Sequence, residues 1–341
     1  MRKGINPAKL EDIKAKNQYF HQIIVPVYLP KLEGYYKEGL DILKICLESI
    51  CLTSHNQTYI SVVNNGSSRE VQDYLNHLLK ENKVNEVVHS SAIGKINAIA
   101  KGLAGHNFDL ITISDADVLF QNGWQNAVYD IYETFPKAGM VGTTPNTKSY
   151  KDYNEMFLFD TFFDRNTKFR KVSDSEAMEK FILSLGFKVF KPEVLKEKIL
   201  SIKKNGIRAN AGCGHFCFTV KQDLIKSLKS VVSNHLISSR DDAIFIDIEL
   251  SKYGHWRLST DDNFTFHMGN TVTKWMIRTL EDMKINNSDL FNLKIMNKSS
   301  CTLKIKLIRF LVSKLIKSKF IFNSYKSYKK LSSKELKDYY I

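Results

Sequence analysis

The sequence lacks the features that mark disulfide-rich, secreted or membrane-spanning proteins. Only five of its 341 residues are cysteine, and no Cys-x-x-Cys pair occurs among them, so a disulfide scaffold is excluded and reduced thiols are expected. No run of about 18 uninterrupted apolar residues is present, and residues 1–20 lack the apolar stretch of a signal peptide. We therefore expect no membrane-spanning helix and a protein that starts in the cytosol.

Glycine and proline are also scarce, at 16 and 6 residues, which excludes fibrous and low-complexity classes. Acidic residues number 36 against 50 lysines and arginines, which leaves a formal net charge of +14. An excess of this size indicates an anionic partner, either nucleic acid, an acidic membrane or a phosphorylated substrate.

Most of this excess lies at the C-terminal end of the chain. Residues 291–341 hold 13 lysines and arginines but only two acidic residues, so +11 of the net charge falls there. The rest of the chain is nearly neutral, which argues against a broad nucleic-acid groove. We therefore expect no nucleic-acid partner.

The same stretch predicts a basic amphipathic helix. On a helical wheel, one side is apolar and another is mainly basic, with Leu303, Leu307, Phe310, Leu311 and Ile321 against Lys306, Arg309, Ser313 and Lys317. Such a helix suits the surface of an anionic membrane. The alternative is a helix that packs on the rest of the protein and leaves its lysines in solvent.

Strand-like and helix-like patterns alternate over roughly the first 145 residues. Short apolar runs predict strands at 22–28, 59–63, 84–88 and 110–113. Helical spacing predicts helices between them, the second capped by Ser67 with Glu70, the third opening at Gly94, and one more after the fourth strand. This alternation predicts an α/β fold with a mixed, mainly parallel sheet flanked by helices.

The later sequence predicts further elements and a division of the chain. We expect helices near 175–185 and 192–204, a strand at 216–220 followed by a helix, and a helix from Arg240 to Tyr253. The predicted organisation is an N-terminal extension (1–20), two halves of an α/β domain (21–145 and 146–275) and a basic helical tail (276–341).

Asp115 and Asp117 follow a predicted buried strand, separated by Ala116. This spacing presents two hard oxygen ligands of the kind that Mg²⁺ or Mn²⁺ prefers. Acidic residues at strand ends also form turns or cap helices. Because ligands of parallel sheets bind at the carboxyl ends of the strands, Asp115 and Asn64 are expected at one rim.

Several segments, in order over residues 22–270, resemble the inverting family 2 glycosyltransferases of the GT-A fold. The resemblance rests on a Pro26-Val27-Tyr28 region, Asn64-Asn65-Gly66, a Gly94-Lys95 helix start, Asp115-Ala116-Asp117, the Asp241-Asp242 pair and His267. It implies transfer of one sugar from a nucleotide-diphosphate sugar to a saccharide or lipid-linked glycan. The context it suggests is bacterial surface-polysaccharide assembly at the inner face of the cell membrane.

The resemblance also implies roles for these residues. The segments up to Ala116 would bind the donor, while Asp115, Asp117 and His267 would hold Mn²⁺ or Mg²⁺. Asp242 would be the general base, assisted by Asp241, and the Gly212-Cys213-Gly214-His215 stretch would approach the acceptor. The alternatives are helix caps for Asp241 and Asp242, a solvated Lys95, an ordinary hydrogen bond for His267 and a plain turn at 212–215.

One departure from the family pattern concerns the donor base. The family commonly carries paired aspartates where this sequence has Asn64 and Asn65, which keep carbonyl acceptors and add amide donors. A UDP-sugar is still the expected donor. The alternatives are a retaining GT-A enzyme, a sugar nucleotidyltransferase, or a membrane- or nucleic-acid-binding module without catalysis.

Overall fold

The computed structural model describes residues 18–184, 194–283 and 302–339, together with Asn6. Its strands are β1 (His21–Val27), β2 (Thr58–Asn65), β3 (Glu86–Ser90), β4 (Leu110–Ser114), β5 (Val118–Phe120), β6 (Ala138–Gly142), β7 (Thr167–Lys171), β8 (Lys198–Lys204), β9 (Ile207–Ala211), β10 (Cys217–Lys221), β11 (Trp256–Thr260) and β12 (Thr265–His267).

Its helices lie between and after these strands. They are α1 (Gly39–Thr53), α2 (Arg69–Lys80), α3 (Lys95–Leu103), α4 (Trp124–Thr134), α5 (Glu155–Asp160), α6 (Ser175–Ser184), α7 (Val194–Glu197), α8 (Ser239–Asp242), α9 (Ile248–Lys252), α10 (Lys274–Glu281), α11 (Leu303–Lys317), α12 (Lys319–Tyr328) and α13 (Ser333–Asp338). A wide π-helical turn, Ala243–Asp247, joins α8 to α9.

One ten-stranded sheet runs through both halves of the chain, in the order β3-β2-β1-β4-β10-β6-β11-β9-β8-β7. The strands from β3 to β4 are parallel, as are β6 and β11. Strand β10 is antiparallel between β4 and β6, and β9, β8 and β7 continue as antiparallel pairs. Strands β5 and β12 form a separate antiparallel pair.

The first half follows the prediction closely because its strands are buried on both faces. Every residue of β1 except Pro26 is buried, and β4 is buried throughout. In-register pairing sets Val27 of β1 against Asn64 of β2, so the two strands end side by side. The carboxyl ends of β1, β2 and β4 therefore share one rim of the sheet.

Three local predictions are wrong. Ser68, not Ser67, lies at the N-cap of α2, because the Ser67 hydroxyl donates to the Val27 carbonyl and accepts from the Leu29 N–H. The helix expected over 192–204 ends at Glu197, and residues 198–204 form β8 between β7 and β9; positions 192 and 193 lie outside the described residues. Short 3₁₀ turns replace the helix expected after β10.

The basic tail packs on the second half of the chain through one side of its helices. Ile305, Ile308, Val312 and Ile316 of α11 pack against the core, and the Phe322 ring stacks on Tyr150 with centroids 5.9 Å apart. Tyr339 is fully buried, and its hydroxyl donates to the Lys198 carbonyl.

However, the side of α11 that the helical wheel predicted to be apolar faces solvent. Leu303, Leu307, Phe310 and Leu311 are all at least half exposed. Helix α11 is thus apolar on both its packed and its exposed sides. No helix in the described ranges is long and apolar enough to cross a membrane, and the tail positions 284–301 lie outside those ranges.

A cluster of buried polar side chains lies beside β1. The Tyr129 hydroxyl is within 2.6 Å of His21 Nδ1 and 2.7 Å of His55 Nε2, and His21 Nε2 is 2.6 Å from the Thr112 hydroxyl. Burial, aided by the neighbouring imidazole, holds the pKa of His21 well below its ordinary value. Burial lowers the pKa of His55 and that of His255, elsewhere in the fold, to about 4.

We predict that the tail's packing contributes measurably to stability. Phe322→Ala should lower the free energy of unfolding by about 3 kcal/mol because it removes a buried ring. The matched control Phe320→Ala, two residues away on α12 and 82% exposed, should change it by less than about 0.5 kcal/mol. Thermal and urea denaturation measure both, and equal effects would contradict the packed arrangement.

We also predict that stability falls as the pH is lowered from about 6.5 to about 4. In this window the unfolded chain binds protons at His21, His55 and His255 that the folded chain does not bind, so folding becomes less favourable as pH falls. Each histidine adds at most about 1.4 kcal/mol per pH unit. Melting temperatures across this range should show a shallower slope for His255→Gln than for wild type, whereas exposed His77→Gln should leave the slope unchanged.

Candidate functional site

The shared rim of β1, β2 and β4 opens into a cavity of about 260 Å³. Residues from each strand end, from the start of α3 and from the loop before α8 line this cavity, which is named the donor-side cavity after the predicted donor residues among them. They are Pro26, Tyr28, Leu29, Tyr35, Tyr36, Gly39, Ile42, Asn65, Lys95, Asp115, Ala116, Asp117, Leu236, Ile237, Gly269 and Asn270. The predicted Pro26, Tyr28, Asn65, Lys95 and Asp115–Asp117 residues therefore meet in one place.

Lys95 and Asp115 form an ion pair inside this cavity, with Nζ 2.5 Å from Oδ1. Gly94 lets α3 start here, since its φ of +93° and the nearby His235 carbonyl leave no room for a side chain. Burial works against the charged form of Lys95, but the carboxylates of Asp115 and Asp242 act more strongly together and raise its pKa. Lys95 is thus held as a cation between acidic groups from both halves of the chain.

Asp117 and His267 meet beside this pair, with Oδ2 3.3 Å from Nε2. The other ring nitrogen of His267 lies 3.0 Å from the Ser184 hydroxyl. Oδ1 of Asp117 is buried without a hydrogen-bond partner in the described part of the chain. Burial raises the pKa of Asp117, opposed by the charge of His267.

Asp242 lies in the first turn of α8, where it is 9% exposed. Burial raises its pKa, while the charges of Lys95 and His215 act in the opposite direction. Asp115 on the donor side and Asp247 on the other side also raise it. The Asp242 carboxylate therefore interacts with charged residues of the donor-side cavity and, on its other side, with His215 and Asp247.

Asp241, its neighbour, is bound to the preceding loop instead. Its carboxylate accepts a short hydrogen bond from the Ser233 hydroxyl, and Oδ2 is 3.1 Å from His235 Nδ1. The hydrogen bond from Ser233 holds the pKa of Asp241 below its ordinary value, with His235 contributing. Asn97 of α3 accepts from the Ser233 N–H. Asp241 thus ties the loop carrying Leu236 and Ile237 to the donor-side cavity.

The π-helical turn after Asp242 brings a second acidic residue to the same side of the helix. Hydrogen bonding from i to i+5 widens this turn. Asp247, five residues after Asp242, lies close enough to raise the pKa of Asp242. Asp247 is 1% exposed and pairs with His215 Nε2 at 2.8 Å and Arg257 Nη2 at 3.1 Å. The same arginine donates to the carbonyl of Cys213 at 2.7 Å, so it holds both the helix and the 212–215 stretch.

A second cavity, of about 720 Å³, opens on this side of Asp242. This cavity is lined by the 212–215 stretch, the start of the π-helical turn, the 146–155 segment and tail helix α11, and it is named the acceptor-side cavity after the predicted role of residues 212–215. They contribute Asn146, Lys148, Ser149, Lys151, Asp152, Tyr153, Glu155, Cys213, Gly214, His215, Ala243, Asp247, Arg257, Ser313, Ile316 and Lys317. Predicted Cys213, Gly214 and His215 line it, whereas Gly212 packs against Ser149 with a φ of +101°.

Three other predicted donor residues support the cavity without lining it. Val27 is fully buried in the core. The Asn64 side chain accepts from the Ser67 N–H and contacts His89 at 2.9 Å, which holds the turn after β2. Gly66, with a φ of +84°, passes close to the Ala92 backbone. These residues shape the rim.

Sequence reasoning missed several residues of both cavities. Tyr35, Tyr36 and Asn270 carry no motif, and only the fold brings them to the rim. Asp247 and Arg257 did leave a signal, since each is a charged residue between two large apolar neighbours, a position that favours a partner. Each proves to be the other's buried partner.

The side chains of Asp115, Asp117 and His267 are of the kinds that bind divalent cations. No group of three or more metal-ligating side chains is assembled within the described residues. The unpartnered, buried Oδ1 of Asp117, together with His267 and the second oxygen of Asp115, offers oxygen and imidazole ligands that suit manganese.

No curated protein matches the chain. Among solved structures, it is similar to the Pyrobaculum calidifontis mannosyltransferase PcManGT in complex with GDP-Man and Mn²⁺, at 14% identity and a TM-score of 0.42, over 73% of this chain and 56% of that one. It is similar to S. aureus TarS 1-349 in complex with UDP-GlcNAc, at 12% identity and 0.42, over 76% and 65%. It is also similar to the inositol-1-phosphate CTP transferase from T. maritima, at 11% identity and 0.39, over 80% and 99%.

The chain thus spans less than two thirds of the first two of these proteins. Residues 32–198 match the family model described as Glycosyl transferase family 2. This segment contains the ends of β2 and β4, Lys95 and the Asp115–Asp117 stretch, and with the mixed sheet it confirms the predicted GT-A fold. Over residues 32–198, just under half of its length, the chain is thus similar to the glycosyl transferase family 2.

Proposed function

We propose that this protein transfers one sugar from a nucleotide-diphosphate sugar to a glycan acceptor, with inversion at the anomeric carbon. The observation that carries the proposal is the position of Asp242 between charged residues that line two cavities. Lys95 and Asp115 act on it from the donor side, and His215 and Asp247 act on it from the acceptor side. A general base for an inverting transfer needs this position, because the acceptor attacks opposite the leaving group.

The donor-side cavity offers the groups that a nucleotide diphosphate requires. The N-terminus of α3 and the Lys95 ammonium favour an anion. Asn65 lies at the rim, with its side-chain oxygen accepting from the Ile93 N–H, and the exposed ring of Tyr35 provides a surface on which a base could stack. A UDP-sugar is the donor we propose.

The transfer step balances around Asp242. A hydroxyl oxygen of the acceptor forms a bond to the anomeric carbon as the bond from that carbon to the diphosphate oxygen breaks. The hydroxyl proton passes to the Asp242 carboxylate, and the nucleoside diphosphate leaves with the bonding electron pair. The raised pKa of Asp242 makes it a stronger proton acceptor than an ordinary aspartate.

Charge on the departing diphosphate needs compensation. Asp117, His267 and Asp115 would hold Mn²⁺ or Mg²⁺, which when bound stabilises negative charge on phosphate oxygens. Lys95 remains beside Asp115 and meets the same phosphates from the α3 side. His267, fixed by Ser184, orients Asp117.

The exposed side of α11 suits a membrane surface as the location of the acceptor. Leu303, Leu307, Phe310 and Leu311 point outward on a helix that also carries Lys304 and Lys306. Apolar side chains surrounded by lysines favour an anionic bilayer interface. We place the reaction at the cytoplasmic face of the cell membrane.

We predict that Asp242→Asn lowers the rate of sugar transfer by at least about 100-fold, because general base catalysis is lost. The dissociation constant for the donor should change less than about threefold. The matched variant Asp241→Asn should chiefly raise the donor KM, because Asp241 holds the Leu236 loop. In wild type, burial of Asp242 should move the acidic limb of the kcat profile above the range of an ordinary carboxylate. A retained anomeric configuration in the product would contradict the inverting mechanism.

Metal-dependent activity forms a separate prediction. A panel of nucleotide sugars with Mn²⁺ or Mg²⁺ should reveal one donor that is hydrolysed slowly without acceptor. Asp117→Ala should lower that rate at least about tenfold, through lost stabilisation of the leaving diphosphate. Exposed Asp262→Ala is the control and should leave the rate unchanged. Equal rates for both variants, or release of pyrophosphate from a nucleoside triphosphate, would count against the proposal.

A further inference from the structure

In the wall of the acceptor-side cavity, a buried carboxylate holds an imidazole. His215 Nε2 lies 2.8 Å from Oδ2 of Asp247. The His215 side chain is 31% exposed and lines the cavity, whereas that of Asp247 is only 1% exposed. A ligand in the cavity can therefore reach the imidazole, and the carboxylate acts on that ligand through His215.

Arg257 fixes this carboxylate from the other side. Its Nη2 lies 3.1 Å from Oδ1 of Asp247 and donates to the Cys213 carbonyl, and its Nη1 donates to the Asp152 carbonyl at 2.8 Å. The Arg257 side chain is itself 2% exposed. Because a guanidinium presents its donors in a rigid plane, Asp247 has little freedom to turn away from His215.

This arrangement decides which nitrogen of His215 carries the proton. As a carboxylate, Asp247 only accepts hydrogen bonds, so Nε2 of His215 donates this one. In a neutral imidazole the other nitrogen, Nδ1, then carries a lone pair. No residue that the structure describes makes a hydrogen bond to this Nδ1. A hydrogen-bond donor in the cavity, such as a sugar hydroxyl, can therefore bind there.

The proposed base lies next to this pair. Ala243, the residue after Asp242, lines the same cavity as His215. The charge of His215 also acts on the Asp242 carboxylate. A saccharide carries hydroxyls on neighbouring carbons, so one hydroxyl can donate to His215 while the next one approaches Asp242.

We propose that Asp247 and Arg257 are positioning residues for the glycan acceptor. They hold the proton of His215 on Nε2, so that Nδ1 receives a hydrogen bond from the hydroxyl next to the one that attacks. The ligand group that this site selects is thus a pair of neighbouring hydroxyls. The family resemblance implied only that residues 212–215 approach the acceptor, without the atom, the tautomer or the two residues behind it. The proposal rests on the proposed function, since it concerns the acceptor of the same transfer.

The tautomer of His215 is measured on the full chain by long-range NMR correlations of labelled histidine, at about pH 8, where an ordinary imidazole is neutral. Its signal is the one of nine histidines that is lost in His215→Phe. Wild type should carry the proton on Nε2. Asp247→Asn should move it at least partly to Nδ1, because the new amide can donate to Nε2.

A matched control lies two residues further along the chain. The Glu249 carboxylate pairs with Lys252 and does not line the cavity, so Glu249→Gln should keep the wild-type tautomer of His215. A proton on Nδ1 in wild type would overturn the proposal, whether or not Asp247→Asn folds.

Neutral sugars test the ligand. Methyl glycosides of glucose, galactose, mannose and N-acetylglucosamine serve as probes, and ligand-observed NMR gives their affinities. At least one should shift the Nδ1 signal of His215, and His215→Phe should weaken its binding at least about fivefold, through the loss of one hydrogen bond. His77→Phe, a change at a side chain that is 63% exposed on α2, should bind it within about twofold of wild type. Equal losses in both variants, or no shift with any glycoside, would count against the role of His215.

Monodeoxy analogues of the bound glycoside locate the hydroxyl. One analogue should bind wild type at least about fivefold more weakly than the parent sugar, whereas His215→Phe should bind both equally, because the two changes remove the same hydrogen bond. Additive losses would contradict the proposal, since a different group of the protein would then bind this hydroxyl.

Hydrolysis of the donor by wild type, without an acceptor, reports separately on the proposed transfer. If a nucleotide sugar is hydrolysed but no glycoside perturbs His215, the positioning role is wrong and the transfer stands. If glycosides bind at His215 but no nucleotide sugar is hydrolysed, the proposed transfer is wrong, and with it the place of this sugar as its acceptor.

Discussion

The site depends on the partly buried ammonium group of Lys95. Lys95 lies against Asp115 from β4, and its charge acts on Asp242 from the second half of the chain. Burying carboxylates together is costly unless an opposite charge is close to them. Lys95 therefore allows acidic residues from distant parts of the sequence to converge at one rim. Gly94 makes this position available, because no larger residue fits against the loop that precedes α8.

That convergence divides the site into two cavities with Asp242 between them. The π-helical turn adds Asp247 below it, and Arg257 joins Asp247 to the 212–215 stretch. Wide turns of this kind are rare in proteins, and many of those that occur lie at functional sites. Here the turn lets a single helical segment serve the donor side with its first residues and the acceptor side with its next turn. The tail then closes the acceptor side with α11.

Much of the first half could be predicted from sequence, because buried parallel strands leave clear apolar runs and their carboxyl ends mark the ligand rim. Asp115 and Asp117 followed from that rule, and Lys95 followed from its place at a predicted helix start. The strand at 198–204 could not be predicted, since its lysine-rich, leucine-containing sequence has helical propensity and only pairing with β7 and β9 makes it a strand. Ser67 was assigned a capping role that Ser68 occupies, because the Ser67 hydroxyl has a better partner in the β1 backbone.

The GT-A class came from the resemblance to a known family, whereas the sequence by itself determined the alternation of elements, the acidic pairs and the concentration of positive charge in the tail. These are local patterns, and local spacing and composition are enough to read them. Only the tertiary structure decided that Asp241 holds a loop while Asp242 lies between charged residues of both cavities, and that the tail both packs on the core and lines the second cavity. Such outcomes depend on contacts between residues more than 100 positions apart, whose energies come from burial and shared charge, which no local pattern contains.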